Sequence, residues 1–287
     1  MSFLRSCWRS FRAEAWRLFR SRWTFVAALL LILTPIMYAG GAHLGALGNH
    51  ARLVAEGSVS GERIVGNAWA PFIDAWLAGL KLAALLLLLL FSRCLAGDIE
   101  SGLLRLSTTR SISRTAAVIG RALLAPLLVA CAVLLTAGAA QLSAGTWFAF
   151  GPLEVDGYEL FSEEELAAET LRATWALLPP LFATCMFGLF VSSLCRGATA
   201  AVILGLGLTL FFDLFKEVLG QGQYWFFLAF NPSLLDGSCM QEMSGIARGY
   251  SDSGYADMLY RMNMSLPLPQ AFLFLLLACY ATSRRSL

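Results

Sequence analysis

The chain has 287 residues, of which 58% are hydrophobic and only 14% charged, whereas soluble chains carry roughly a quarter charged residues. Runs such as Ala83 to Phe91 (AALLLLLLF) therefore belong in lipid, which excludes an ordinary soluble enzyme. The net charge is only +2, yet nineteen Arg stand against two Lys, Lys81 and Lys216; neither lysine completes a GxxxxGK sequence, so a Walker-type ATP site is excluded in this chain.

In the first 22 residues, Leu4, Trp8, Phe11, Ala15 and Leu18 recur at alternating four and three spacing, with Arg5, Arg9 and Arg12 one position behind. An apolar stripe bordered by arginines predicts a helix lying in the inner headgroup layer. The small residues around Tyr38 to Ala42 permit a secretory-signal reading, but a 22-residue arm with six arginines is long for such a leader, and retention is expected.

A hydrocarbon core of about 30 Å requires about 20 apolar residues per helix. Six windows qualify, near 23–44, 69–92, 117–144, 173–195, 198–215 and 266–283, with only Arg196 and Gly197 parting the fourth from the fifth. The predicted fold is thus a single all-α transmembrane domain over 1–287. Arm 1–22, loop 93–121, Arg196 and the tail at Arg284 and Arg285 hold fourteen of the 21 basic residues and only three acids, Glu14, Asp98 and Glu100. Since basic residues mark cytoplasmic loops, both termini are expected in the cytoplasm, in the inner membrane of a prokaryote.

The alternate loops are acidic. Residues 154–169 carry seven acids, and Ser162 with Glu165 forms a capping-box signature for a short helix leading into the fourth span. Within 216–265, the apolar stretch Tyr224 to Phe230 is too short to span and ends at Asn231-Pro232, predicting a re-entrant or surface-lying hairpin covered by protein or water.

Segment 95–121 (LAGDIESGLLRLSTTRSISRTAAVIGR) carries the strongest functional signal. Leu95, Ile99, Leu103 and Leu106 share one helical face, predicting an amphipathic helix that continues out of the second span, with Asp98, Ser101 and Arg105 away from that face. Ser113 is placed to cap the next helix, and Arg105, Arg110, Arg114 and Arg121 to lie at the inner surface. These residues also fit a plain positive-inside loop.

Glu100, Gly102, Leu103, Leu104, Ser113, Arg114 and Gly120 together resemble the segment between the second and third spans of the ATP-binding-cassette type 2 permeases, type V exporters of six spans. Ser111 stands where that family commonly has proline, and Arg121 where it commonly has lysine. The resemblance implies a homodimer of permease chains and two copies of a cytoplasmic ATPase, which would hold the ATP and Mg, docked on residues 95–114. It makes Asp98, Glu100, Gly102, Leu103, Leu104, Arg105, Arg110, Ser113 and Arg114 the coupling residues. A helix fused to a span passes on displacement better than a loop, and the charged residues can make charge-assisted contacts with a partner.

Asp74 and Lys81 lie seven apart on one face of the second span, and a lysine at mid-membrane costs about 2.5–3.5 kcal/mol. They either line a substrate path or pair for packing. Asp213, with Lys216 and Glu217 beyond it, reads as an interfacial anchor. Met240, Met243, Met258, Met262 and Met264 share an outer loop with Cys239, soft ligands that suit Cu(I). Tyr255, Met258, Leu259 and Met262 fit one packed helical face equally, and no metal site is expected.

The expected function is a permease subunit, probed against two others. An intramembrane enzyme lacks its signatures: there is no HExxH, GxSxG or Gly-x-Gly-Asp, and Ala168 or Glu169 stands where an EExxxR motif needs arginine. An ATP-independent carrier lacks evident half-to-half similarity, whereas a membrane scaffold for an outer-face complex fits the large outer hairpin. An accessory protein on that acidic face is a further partner expectation, alongside membrane lipid; no nucleic acid is expected.

Overall fold

Among its described residues, the computed structural model has six helical segments long and apolar enough to cross a membrane: Arg22–Ala55, Trp69–Glu100, Arg114–Trp147, Glu163–Leu194, Ala198–Trp225 and Asp257–Arg284. Each overlaps one of the predicted windows, and the chain is a multi-pass, all-α membrane protein. The structure describes residues 2–56, 67–102, 113–155, 158–235, 238–250 and 256–284.

Helix α1 (Ser2–Arg20) precedes α2 (Arg22–Ala55), whose 34 residues reach about 51 Å, well beyond a bilayer core. The face of α1 that meets protein is not the predicted stripe. Cys7, Ser10 and Glu14 are buried, while Leu4 and Trp8 are exposed with Trp16 and Phe19, leaving a large apolar surface uncovered for lipid. Helix α3 (Trp69–Glu100) follows.

The third span is interrupted. Helix α4 (Arg114–Ala122) stops at Leu123 and Leu124, and α5 (Ala125–Trp147) resumes with Pro126 in its first turn. Pro126 lacks the N–H that would bond back to Ala122, so the predicted continuous helix over 117–144 is broken there.

Between α5 and the next span lies an antiparallel hairpin, β1 (Leu153–Val155) with β2 (Tyr158–Phe161), pairing Glu154 with Glu159. The expected acidic cap is therefore partly strand. Helix α6 (Glu163–Leu194) begins on the predicted capping box: Ser162 Oγ accepts from the Glu165 amide at 3.3 Å, and Glu165 Oε2 accepts from the Ser162 amide at 2.9 Å. No separate short helix precedes the fourth span.

Helix α7 (Ala198–Phe215) continues into 3-10 turns over Lys216–Trp225 and Phe227–Phe230, then α8 (Cys239–Ala247), α9 (Asp257–Ser265) and α10 (Pro267–Arg284). The Gln270 side chain satisfies the irregular backbone at 225–227: its Nε2 donates to Trp225 O at 2.7 Å, and its Oε1 accepts from the Phe227 amide at 3.0 Å. Phe227 packs on Phe187 and Phe274. Arg172 of α6 pairs with Asp257 and lies over the Tyr260 ring, fastening α9.

Helices α3 and α6 form the centre. Of the most apolar stretch of α6, 78% is buried, against 17% for α2, α7 and α10, which present most of their surface outward. The two central helices touch through polar atoms as well: Ser192 Oγ accepts from the amides of Leu95 and Ala96 at 3.0 and 2.9 Å. In an apolar bundle such hydroxyl contacts fix how helices meet.

Candidate functional site

At the α1 end of the bundle, α3 runs beyond the predicted span, which ends near 92. The helix ends at Glu100, and Gly102 adopts φ +72°, a conformation that disfavours any side chain, while its amide donates to Ile99 O at 3.2 Å. The rest of the predicted amphipathic helix, through Leu106, lies outside the described residues. Leu95, on the predicted apolar face, is fully buried within the chain. Leu103, Leu104, Arg105 and Arg110 lie outside the described residues. Ser113 caps α4 as predicted, accepting from the Ala116 amide at 3.2 Å.

Asp98 does not face outward. It is buried, and both of its oxygens are engaged: Oδ1 by Arg17 of α1 at 2.8 Å, Oδ2 by Arg121 of α4. Arg121 also reaches Glu14 at 2.7 Å, and Arg17 reaches Glu14 at 2.9 Å. Two acids and two arginines thus bind three helices with no net charge. The side chains of Arg121, Asp98 and Glu14 are only 7%, 10% and 12% exposed, whereas Arg17 is 48% exposed. The first three carry the junction, because solvent weakens the Arg17 pairs.

Gly120, next to Arg121, lets α1 approach. A Cβ there would sit 2.6 Å from Ser10 Cβ and Oγ and 3.0 Å from the Phe11 amide nitrogen. The Gly-Arg pair thus has a local role: the glycine admits α1 and the arginine fastens it.

Glu100, two residues past Asp98, joins a fourth helix. Its Oε2 accepts from the Ala198 amide at 2.8 Å, at the first turn of α7, where Gly197 has no side chain to cap with. A carboxylate there satisfies an orphan donor and complements the helix dipole. Asp98 and Glu100 are therefore already engaged within the chain, and Arg114 is partly buried at the start of α4.

The hairpin end holds the polar space. A vestibule of about 590 Å³ is bounded by Asp213, Lys216, Glu217, Gln223 and Glu242 among others. Asp213 also lines a smaller cavity, about 40 Å³, with Lys81, Thr184, Thr209, Asn231 and Ser233. The volume accommodates one or two small polar groups or waters. Asn231 Oδ1 is buried without a hydrogen-bond partner, and the Lys81 ammonium has no ion pair among the described residues. Asp213 and Lys216 are buried together, 3.6 Å apart, rather than lying at an open interface.

Asp74 and Lys81 are not paired. Asp74 accepts from Ser244 of α8 and pairs with Arg248, the residue that caps the end of α8. The Asp74 carboxylate raises the Arg248 pKa further above its ordinary value, chiefly through their hydrogen bond. Asp74 thus anchors α8, and of the two only Lys81 opens to the polar cavity.

The methionines divide by environment. Met240 and Met243 are fully buried, whereas Met258 is 72% exposed, so the predicted packed face does not extend to it. Tyr255 lies outside the described residues. Burial pushes the Cys239 thiol up to about 12, away from the thiolate that binds soft metals. Among the described residues no cluster of His, Cys, Asp or Glu is arranged to hold a metal.

Glu14, Arg17 and Arg248 escape a reading by local pattern. Glu14 does leave a trace, as the only acid in an arm of six arginines. No family model matches the chain, and no curated protein matches it.

Proposed function

We propose that this chain is the transmembrane permease subunit of an ATP-binding-cassette transporter, an exporter powered by a separate ATPase that docks on residues 95–114. The observation that carries this reading is the junction at the end of α3. Asp98 ties that end to α1 and α4, and Glu100 ties it to α7. A partner pressing on the chain between α3 and α4 would move four helices together rather than a free loop.

The residues behind the family resemblance support it. Glu100, Gly102, Ser113 and Gly120 each have a defined task at this junction. Two permease copies and two ATPases would make the transporter, with ATP and Mg held by the ATPases and both permease termini in the cytoplasm of a prokaryotic cell. The vestibule and the Lys81 cavity supply polar surface for a substrate within the otherwise apolar bundle.

Purification of the tagged chain from its native membrane tests the reading. A chain bearing a Walker motif should co-purify, and Leu103→Asp should abolish that association. An intact complex with unchanged ATP turnover in Leu103→Asp would remove the coupling assignment. A preparation without any ATPase would favour an ATP-independent carrier or a scaffold for an outer-face complex.

A further inference from the structure

A second cavity lies apart from the polar one. Helices α2, α3 and α5 enclose an apolar groove of about 450 Å³, open along one side and lined by residues including Trp23, Leu31, Leu87 and Leu135. Among the lining residues only Trp23, Thr24, Arg93 and Cys131 have a polar or sulfur atom in the side chain, and Trp23, Thr24 and Arg93 all lie toward the α1 end.

The dimensions match one leaflet. From Ala83 to Arg93, the lining of α3 covers ten residues, a rise of about 15 Å, and half of a 30 Å hydrocarbon core is about 15 Å. The groove therefore runs from the membrane surface to about the midplane, the depth of one acyl chain. Trp23 at its mouth suits the interface, where indole rings collect.

Arg93 supplies the chemistry. Arg17 and Arg121, also at this end, are neutralised by Glu14 and Asp98, but the Arg93 guanidinium forms no ion pair or hydrogen bond with any described residue. An exposed guanidinium above an acyl-length groove matches a phosphate above its chain, and guanidinium pairs with phosphate in bidentate geometry.

We infer that this groove is a binding site for an anionic phospholipid, with one acyl chain between α2, α3 and α5 and the phosphate on Arg93. Lipid tails are as apolar as the groove walls, so the chain alone gives little preference over bulk lipid. The head group supplies the preference, and one basic residue near the surface corresponds to about a fivefold bias toward anionic over zwitterionic lipid. This site does not depend on the exporter reading, since it needs neither an ATPase nor a substrate.

Native mass spectrometry of the purified chain, equilibrated with equal phosphatidylglycerol and phosphatidylcholine of the same acyl composition, tests it. The wild type should retain phosphatidylglycerol about fivefold over phosphatidylcholine. Arg93→Ala should bring that ratio to about one, and Arg93→Lys should restore most of it. Arg93→Gln makes the same comparison if Arg93→Ala does not accumulate. Ala28→Phe, which fills the groove from α2, should lose both retained lipids. A ratio unchanged in the Arg93 variants, or retention unchanged in Ala28→Phe, overturns the assignment. So does disulfide cross-linking through Cys131 between two copies, which would place a second chain in the groove.

Discussion

Arg121 and Asp98 pair across the α3–α4 contact with side chains only 7% and 10% exposed, and the same guanidinium holds Glu14 of α1. Burial makes this pair a positional constraint as much as a source of stability. Desolvating both charges consumes much of their attraction, but removing one partner leaves the other buried and unpaired. Arg121→Met should therefore lower stability by about 3–5 kcal/mol, read as a reduced midpoint of thermal unfolding in detergent. The double variant Asp98→Asn with Arg121→Met should recover part of the loss, because it removes a stranded charge. A double variant no more stable than Arg121→Met alone would argue that packing at Gly120, and not charge, holds α1.

Glu100 offers a narrower test, since it acts on one amide of α7. Loss of a cap costs about 1 kcal/mol, which corresponds to about a fivefold faster local opening. Hydrogen exchange in Glu100→Ala should accelerate over residues 198–201 while α5 is unchanged. Glu100→Gln keeps an acceptor in place and should give an intermediate rate. Equal exchange in all three chains would mean that Glu100 does not cap α7 in the membrane-extracted protein.

Local signals proved readable. The apolar windows gave six spans because hydropathy acts over each segment separately, and the caps at Ser113 and Ser162 followed from residues three positions apart. Backbone breaks come from single residues that an apolar window does not weigh: Gly102 has φ +72° just past the end of α3, and Pro126 interrupts the helix of the third span. The hairpin at 153–161 was hidden by its acids, although Asp156-Gly157 is a strong turn signal. Glu14 and Asp98 are 84 positions apart in the chain and meet through Arg121 and Arg17. Arginine counting places Arg121 at the membrane surface, and no sequence period reveals a partner on another helix.

Gly120 makes the docking of α1 testable through a native reporter. Cys7, on the protein-facing side of α1, is 4% exposed, and burial raises its thiol pKa. Gly120→Val forces side-chain atoms into Ser10, so α1 must shift outward. Peptide mapping after N-ethylmaleimide at pH 7.5, a pH of roughly one unit below an ordinary thiol pKa, should show Cys7 labelled in Gly120→Val and protected in the wild type. Ser10→Gly combined with Gly120→Ala should restore protection by making room for the methyl. Labelling that stays low in Gly120→Val would show that the salt-bridged end alone keeps α1 seated.

Cys239 reports on the opposite end, where magnitudes distinguish two anchors of α8. Arg248 is 45% exposed in its pair with Asp74, and such pairs contribute about 0–1 kcal/mol. Met243 is fully buried, and truncating a buried methionine to alanine costs about 2–5 kcal/mol. With the Cys239 thiol raised to about 12 in the folded chain, only about one thiol in ten thousand is ionised at pH 8, and maleimide labelling should be slow. Met243→Ala should speed it strongly and Arg248→Gln only slightly. The same shift sets a pH dependence: the unfolded thiol ionises near 9.0, the folded one near 12, so this contribution is complete below pH 9 and declines as pH rises toward 12. Faster labelling in Arg248→Gln than in Met243→Ala would reverse the order and make Asp74 the principal anchor of α8.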